Sequence, residues 1–336
     1  MSRAGRAWAL AGLACALVLT GCGGEQSPLA PRSGPSHKIA DLWWGMLAAS
    51  GVVFFGAVLL LTIAWLRRRP GLPLLGEREP LNNGLVIGFG IVIPVAALVT
   101  LFAVSDVWIT RDPDVEAPKA STTRLTVDVI GHQWFWEVRY PGTAAITANE
   151  IHIPARTRVQ VVGTTADVIH SFWVPQLNRK IDLIPGERHR VLLYADRPGR
   201  YRGQCAEFCG LQHANMALYV FADPPARFQA WLAGLQRRAA PPAAAIPRRG
   251  QQVFMASGCG SCHAIAGTQA QGRVGPDLSH VASRTTLAAL TIPNRPGQLA
   301  RWIHDPQGVK PGNRMPGFDL PAPDLRALVA YLETLR

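Results

Sequence analysis

The sequence predicts a multidomain membrane protein: a two-helix transmembrane hairpin, an all-β sandwich and a small all-α domain, in that order. Three observations carry this reading. Residues 42–66 and 81–105 are two long stretches without a single charge. Residues 115–222 hold short runs rich in Val, Ile, Leu or Tyr, broken by Gly and Pro turns. A Pro/Ala-rich segment, 236–247, then separates a last unit, 248–336, whose final positions Leu325, Leu328, Val329, Leu332 and Leu335 keep helical spacing. A chain of 336 residues has room for two or three domains.

Composition narrows the function. The chain carries +12, with 34 Lys and Arg against 22 Asp and Glu. The excess is spread out: +2 over 111–236, +5 over 248–336, and the rest in the first 110 residues and the Arg237-Arg238 pair. Without a basic stripe interleaved with aromatics, nucleic acid is excluded as a partner. A content of 48% hydrophobic and 17% charged residues excludes disorder as well.

Residues 1–22 read as a signal peptide of lipoprotein type. Arg3 and Arg6 precede an apolar run that, at about 12 residues, is too short to span a bilayer. Its end, Leu19-Thr20-Gly21-Cys22, resembles a bacterial lipoprotein cleavage box, which makes Cys22 the expected lipidation site and places Cys15 in the discarded part. The hairpin is expected over 39–109, because at about 1.5 Å per residue each charge-free stretch covers a hydrocarbon core of roughly 30 Å. Arg67, Arg68, Arg69 and Arg78 place the connecting loop in the cytoplasm, so everything after residue 106 lies outside. Strands are expected at 125–130, 158–162, 190–193 and 217–221, in a sandwich over 111–225. The 236–247 segment is expected to be semi-rigid and extended, and a helix over 324–335 closes the last unit.

The six cysteines fall into three close pairs. Disulfides within such pairs would close very short loops and constrain the unfolded chain little. The run Cys205-Ala-Glu-Phe-Cys209-Gly-Leu-Gln-His213-Ala-Asn-Met216 instead offers two thiolates, an imidazole and a thioether. Soft sulfur with imidazole suits copper, and the methionine argues against a closed zinc site. Two thiolates bridging a copper pair would use every donor if one more histidine came from elsewhere. His170, in Asp167-Val-Ile-His-Ser-Phe-Trp-Val-Pro175, is the candidate, with Asp167 and Ser171 as groups that could orient it. Further on, Cys259-Gly-Ser-Cys262-His263 is a c-type haem attachment motif: two thioethers, and a histidine for the iron. The opposite axial ligand is typically Met. Met315, on the turn-rich loop Lys310-Pro-Gly-Asn-Arg-Met-Pro-Gly317, suits that role better than Met255, His280 or His304.

Over about residues 40–222, the hairpin, the run Gly131-His-Gln-Trp-Phe-Trp136 and the Cys205 to Met216 run together resemble subunit II of haem–copper cytochrome c oxidases. In that family an all-β cupredoxin-like sandwich holds the binuclear copper centre CuA. The resemblance implies that Cys205 and Cys209 bridge the coppers, that His170 and His213 each bind one, and that Met216 and the Glu207 carbonyl complete the sites. It also implies a magnesium ion, bound by the Glu207 carboxylate and shared with subunit I, and an exposed Trp134 through which electrons come in. Nitrous-oxide reductases lack the acidic residue and the hairpin, and quinol oxidases lose both cysteines.

Residues 248–336 resemble an all-α class I cytochrome c domain, which implies covalent haem on Cys259 and Cys262 with His263 and Met315 as axial ligands. Val274-Gly-Pro-Asp-Leu278 is similar to that family's proximal loop, giving the Pro276 carbonyl the task of orienting His263. The combination resembles subunit II of caa-type oxidases. The implied function is to pass electrons from a donor to haem c, then to CuA, then to subunit I, where oxygen is reduced to water with proton translocation. The implied partners are oxidase subunit I and other oxidase subunits, the membrane, and a donor such as a cytochrome c or a quinol–cytochrome c reductase complex. The implied place is the bacterial cell membrane, with both soluble domains on the outer side. Two other readings stay open: a CuA-containing nitric oxide reductase subunit and a membrane-anchored copper chaperone. Residues 140–149 carry no acid, so a free basic cytochrome c is expected to be a poor direct donor to this copper.

Overall fold

The computed structural model describes residues 24–66, 79–112 and 120–336. The signal peptide with Cys15 and Cys22, and the basic loop residues Arg67, Arg68, Arg69 and Arg78, lie outside the described residues.

Helix α1 (Gly34–Leu66) starts before the charge-free stretch because Ser33 and Ser36 cap it. The Ser36 N–H donates to Ser33 Oγ (3.2 Å) and the Ser33 N–H to Ser36 Oγ (3.1 Å), a reciprocal cap of the first turn. Both hydroxyls also donate to the sandwich, Ser36 to Gln176 O at 2.7 Å and Ser33 to Leu177 O. The outer end of the hairpin is thereby fixed to the soluble part. The second apolar span, Asn83–Thr110, begins in α2 (Glu79–Ile87) and continues through a π-helical turn (Gly88–Val92) into α3 (Ile93–Ser105). Pro94 explains the turn. It has no N–H, and just before it the ladder re-registers, the Ile93 N–H donating to Gly88 O. Val52, Phe55, Leu61 and Phe102 stand exposed along the spans, the surface expected of helices that face lipid or other membrane helices.

The sandwich has two five-stranded sheets, with orders β3-β2-β1-β5-β8 and β4-β10-β9-β6-β7. The first contains β1 (Leu125–His132), β2 (Phe135–Arg139), β3 (Ile146–Ala148), β5 (Val159–Thr165) and β8 (His189–Leu193). The second contains β4 (Glu150–Pro154), β6 (His170–Trp173), β7 (Ile181–Leu183), β9 (Gly199–Cys205) and β10 (Ala217–Asp223). β1 pairs with β5, and β4 with β10, in parallel; the remaining pairs are antiparallel. Period-two alternation sends Val127, Val129, Val138, Ile151, Ile153, Val161, Phe172, Leu218 and Val220 into the shared core. Helix α4 (Pro225–Leu235) packs Phe228 and Trp231 against Tyr140 at the base.

The last unit is helical, as its periodicity requires. Helix α5 (Ala245–Ala256) opens inside the Pro/Ala segment, and the Ala239 N–H donates to Ala266 O (3.0 Å), so this stretch is laid against the unit it precedes. A short turn α6 (Cys259–Cys262) follows, then α7 (Pro296–His304), α8 (Pro306–Val309) and α9 (Ala322–Leu332). Helix α9 starts ahead of the expected residue 324 because Pro321 and Pro323 suit a first helical turn. Val253, Phe254, Leu299, Ile303, Leu328, Val329 and Leu332 form the core.

Candidate metal centres

The copper-type donors converge where β6 opens and β9 closes. His170 is the first residue of β6, Cys205 the last of β9, and Cys209, His213 and Met216 lie on the loop leading into β10. Cys205 Sγ is 3.8 Å from Cys209 Sγ and 3.8 Å from His170 Nδ1. Cys209 Sγ is 3.6 Å from His213 Nδ1 and 3.9 Å from Met216 Sδ. The Glu207 carbonyl lies 3.2 Å from Cys205 Sγ, while the Glu207 side chain is exposed. Both thiols are free and buried, and His170 and Met216 are fully buried. Two sulfurs with an imidazole on each, a thioether and a carbonyl make a donor set that fits a thiolate-bridged copper pair and exceeds what one zinc ion takes. Of the two thiols Cys205 ionises first: the hydrogen bond from Cys209 lowers its pKa, and the same contact raises that of Cys209.

The second layer fixes this set. Asp167 Oδ1 sits 2.9 Å from His170 Nε2, which leaves Nδ1 turned to the sulfur. Against the burial that raises it, the Asp167 pKa is brought to about 2 by hydrogen bonds from His170 and from the Gln133 and Val168 N–H groups. The Ser171 hydroxyl does not serve the imidazole: it is buried and has no hydrogen-bond partner among the described residues. Gly131, on β1, backs His170, since a Cβ there would lie 2.7 Å from His170 Cδ2. Gly131→Ala is therefore expected to push the imidazole and alter the copper absorption and EPR spectra while the haem spectrum stays as it is. An unaltered copper spectrum would remove His170 from the ligand set.

The haem-type residues meet around a cavity of about 420 Å³ lined by Cys259, Cys262, His263 and Met315, with Phe254, Leu299, Leu328 and Leu332 as apolar walls. His263 Nδ1 is 2.7 Å from Pro276 O, so Nε2 is left for iron. Burial lowers the His263 pKa and favours the neutral ligand form. Arg284 Nε and Thr286 Oγ1 belong to residues lining this cavity and are buried without partners among the described residues, and the two carboxylates of a haem are acceptors of the kind they lack. The residues fit a covalent haem. Met255, His280 and His304 do not line the cavity.

Four residues of the sandwich, Gln133, Trp134, Phe135 and Asn149, complete the wall of this same cavity. Trp134 is half-buried there, and its indole N–H donates to Cys209 O at 3.0 Å. Gln133 Nε2 donates to the same carbonyl (2.8 Å), and Gln133 Oε1 accepts from Arg314 of the helical unit. Glu150 accepts from the Thr285 N–H (2.7 Å) and hydroxyl (2.5 Å), and Gln212 Nε2 donates to Pro311 O (2.5 Å). Gln133 and Gln212 lie inside the two quoted runs without a role of their own in the sequence, and Glu150 and Arg284 belong to no motif.

Residues 143–222 match the family described as "Cytochrome C oxidase subunit II, periplasmic domain", and residues 247–336 match "Cytochrome c". The chain is 34% identical to cytochrome c oxidase subunit 2 of Alkalihalophilus pseudofirmus, over 95% of this chain and 94% of that one. It is 28% identical to the same subunit of Bacillus sp. (strain PS3), over 96% and 95%. Among solved structures, the periplasmic domain of subunit II of the Bradyrhizobium japonicum cytochrome oxidase is 30% identical, covers 35% of this chain and 96% of its own, and gives a TM-score of 0.34.

Proposed function

The chain belongs to the cytochrome c oxidase subunit II family, with a cytochrome c domain at its C-terminal end, and on that premise we propose that it is the subunit through which a haem–copper oxidase takes up electrons. Haem c and CuA, when bound, would supply one-electron carriers between an outside donor and subunit I, where oxygen is reduced to water with proton translocation. The residues of this chain hold and aim those groups. Cys205, Cys209, His170, His213, Met216 and the Glu207 carbonyl hold copper, Asp167 orients His170, and Gln133 and Trp134 tether the carbonyl of Cys209. Cys259 and Cys262 would anchor a haem, and His263, aimed by Pro276 O, and Met315 would hold its iron. The exposed Glu207 carboxylate is free to bind magnesium with subunit I. The hairpin keeps both domains at the outer membrane face.

One residue carries the reading. Trp134 donates its indole N–H to the main-chain carbonyl of Cys209 and lines the haem cavity as well. In this chain it faces its own haem domain, unlike the exposed tryptophan the family resemblance implied. A free basic cytochrome c therefore meets neither an acidic patch nor this tryptophan, and donates to haem c. The full chain, purified from membranes, is expected to hold two copper ions and one covalent haem, and on mixing with reduced donor the haem should be reduced before the copper. Copper lost on dialysis, or copper reduced first, would overturn the reading.

A further inference from the structure

Lys310 lies on the turn between α8 and Met315, a place where a lysine ordinarily points into water. Here it is 2% exposed. Its ammonium donates to three main-chain carbonyls: Trp134 O at 3.0 Å, Asn215 O at 2.9 Å and Ala288 O at 3.0 Å. All three protons are used, and the acceptors come from three separated segments. Two belong to the sandwich, one being the residue at the haem cavity wall and the other the neighbour of Met216. The third belongs to the haem domain. No carboxylate pairs with this ammonium among the described residues. Its burial is set against carbonyl dipoles alone, a costly arrangement unless the geometry is fully satisfied.

The third acceptor is itself unusual. Ala288, Ala289 and Leu290 have φ of 53°, 57° and 70°, a left-handed turn built without glycine. Such strain persists only where surrounding contacts over-determine it, and it gathers at functional sites. Ala288 and Ala289 also line the haem cavity. Arg314 to Gln133, Gln212 to Pro311 and Thr285 to Glu150 ring the same contact, and Leu211 packs at Gly312. Burial pulls the Lys310 ammonium down to about 7, a sign of how fully the two domains exclude water from it.

We infer that Lys310 is a positioning residue that locks the mouth of the haem cavity onto Trp134, so that the two centres exchange electrons in one held arrangement and not by encounters along a tether. The inference rests on the electron-uptake reading above.

The test uses the intact oxidase, with an electron injected photochemically into the haem domain and its arrival at copper followed optically at increasing sucrose viscosity. The wild type is expected to transfer at a rate independent of viscosity. Lys310→Met leaves three buried carbonyls without a donor, and is expected to slow the transfer roughly tenfold or more and to make it viscosity-dependent, with both metal spectra retained. Hydrogen exchange over 211–215 and 288–290 should rise in the same variant. Arg249→Gln, which removes an exposed ion pair to Asp324 inside the haem domain, should change none of these. A wild-type rate that falls in proportion to viscosity overturns the lock without any variant, as does wild-type transfer and exchange in Lys310→Met. No haem-to-copper transfer at all in the wild type would overturn the electron-uptake reading itself, a result distinct from transfer that ignores Lys310.

Discussion

Replacing Cys209 with serine is expected to strip copper from the purified oxidase, leave its haem c content unchanged, and lower oxygen consumption by roughly 100-fold or more. Cys209 is the node of the cluster: its sulfur lies within 3.9 Å of Cys205, His213 and Met216. A serine hydroxyl is a hard, protonated donor at neutral pH and cannot bridge two coppers as a thiolate does. The remaining donors then serve a single ion at best. The haem centre is built from Cys259, Cys262, His263 and Met315, none of which touches this sulfur, so the haem should still be reduced by the donor and then stay reduced. Copper analysis, a haem spectrum and oxygen uptake on one preparation check all three statements. Copper retained at two per chain would show that Cys209 does not bridge, and haem lost along with copper would show that the two centres do not form independently.

The Cys209 prediction was already legible in the sequence, because both metal motifs are local. Cys205 to Met216 and Cys259 to His263 are short runs whose spacing survives whatever the rest of the chain does. His170 was harder. It reaches Cys205 by β6 and β9 pairing within one sheet, and the sequence named it only because the donor count called for one more histidine. The hairpin was legible because absence of charge over a bilayer's width has few other meanings. Its start was not, because the Ser33–Ser36 cap carries α1 back through Asp41 and Lys38, outside any apolar stretch. Hidden altogether was the seam between the two soluble domains. Lys310 reads as an ordinary lysine in a Gly/Pro loop, and its partners are carbonyls, which leave no side-chain signature. Two of those partners lie 176 and 95 residues away. The Pro/Ala composition of 236–247 suggested a semi-rigid, extended linker for the same reason, since composition reports what a segment lacks and not what it is docked against.

Gly250→Leu is expected to destabilise the haem domain by about 4 kcal/mol or more, and its effect follows from a single close approach. Glycine within a helix costs about 1 kcal/mol relative to alanine, so its place on α5 needs a reason from packing. A Cβ at Gly250 would lie 1.9 Å from Ala327 O and 2.8 Å from Tyr331 Cβ on α9. The obstacle is main chain, so no change of rotamer relieves it, and the two helices must separate. Phe254 lies one turn along α5, and Leu328 and Leu332 on α9; all three wall the haem cavity. Separation opens that wall and admits water beside Met315. The thioethers to Cys259 and Cys262 keep the haem on the chain regardless. The variant should therefore retain its haem iron and both coppers but lose the optical signature of methionine ligation at lower temperature. For a domain of this size each 1 kcal/mol moves the midpoint by roughly 4–8 °C, so a fall of about 15 °C or more is expected in the haem signal, with no shift in the melting of the copper domain. Gly250→Ala should show the same pattern with a smaller fall, because it meets the same carbonyl with fewer atoms. A leucine variant with an unmoved haem midpoint would mean that α5 and α9 do not cross at Gly250, and the cavity walls would have to be held apart by some other contact.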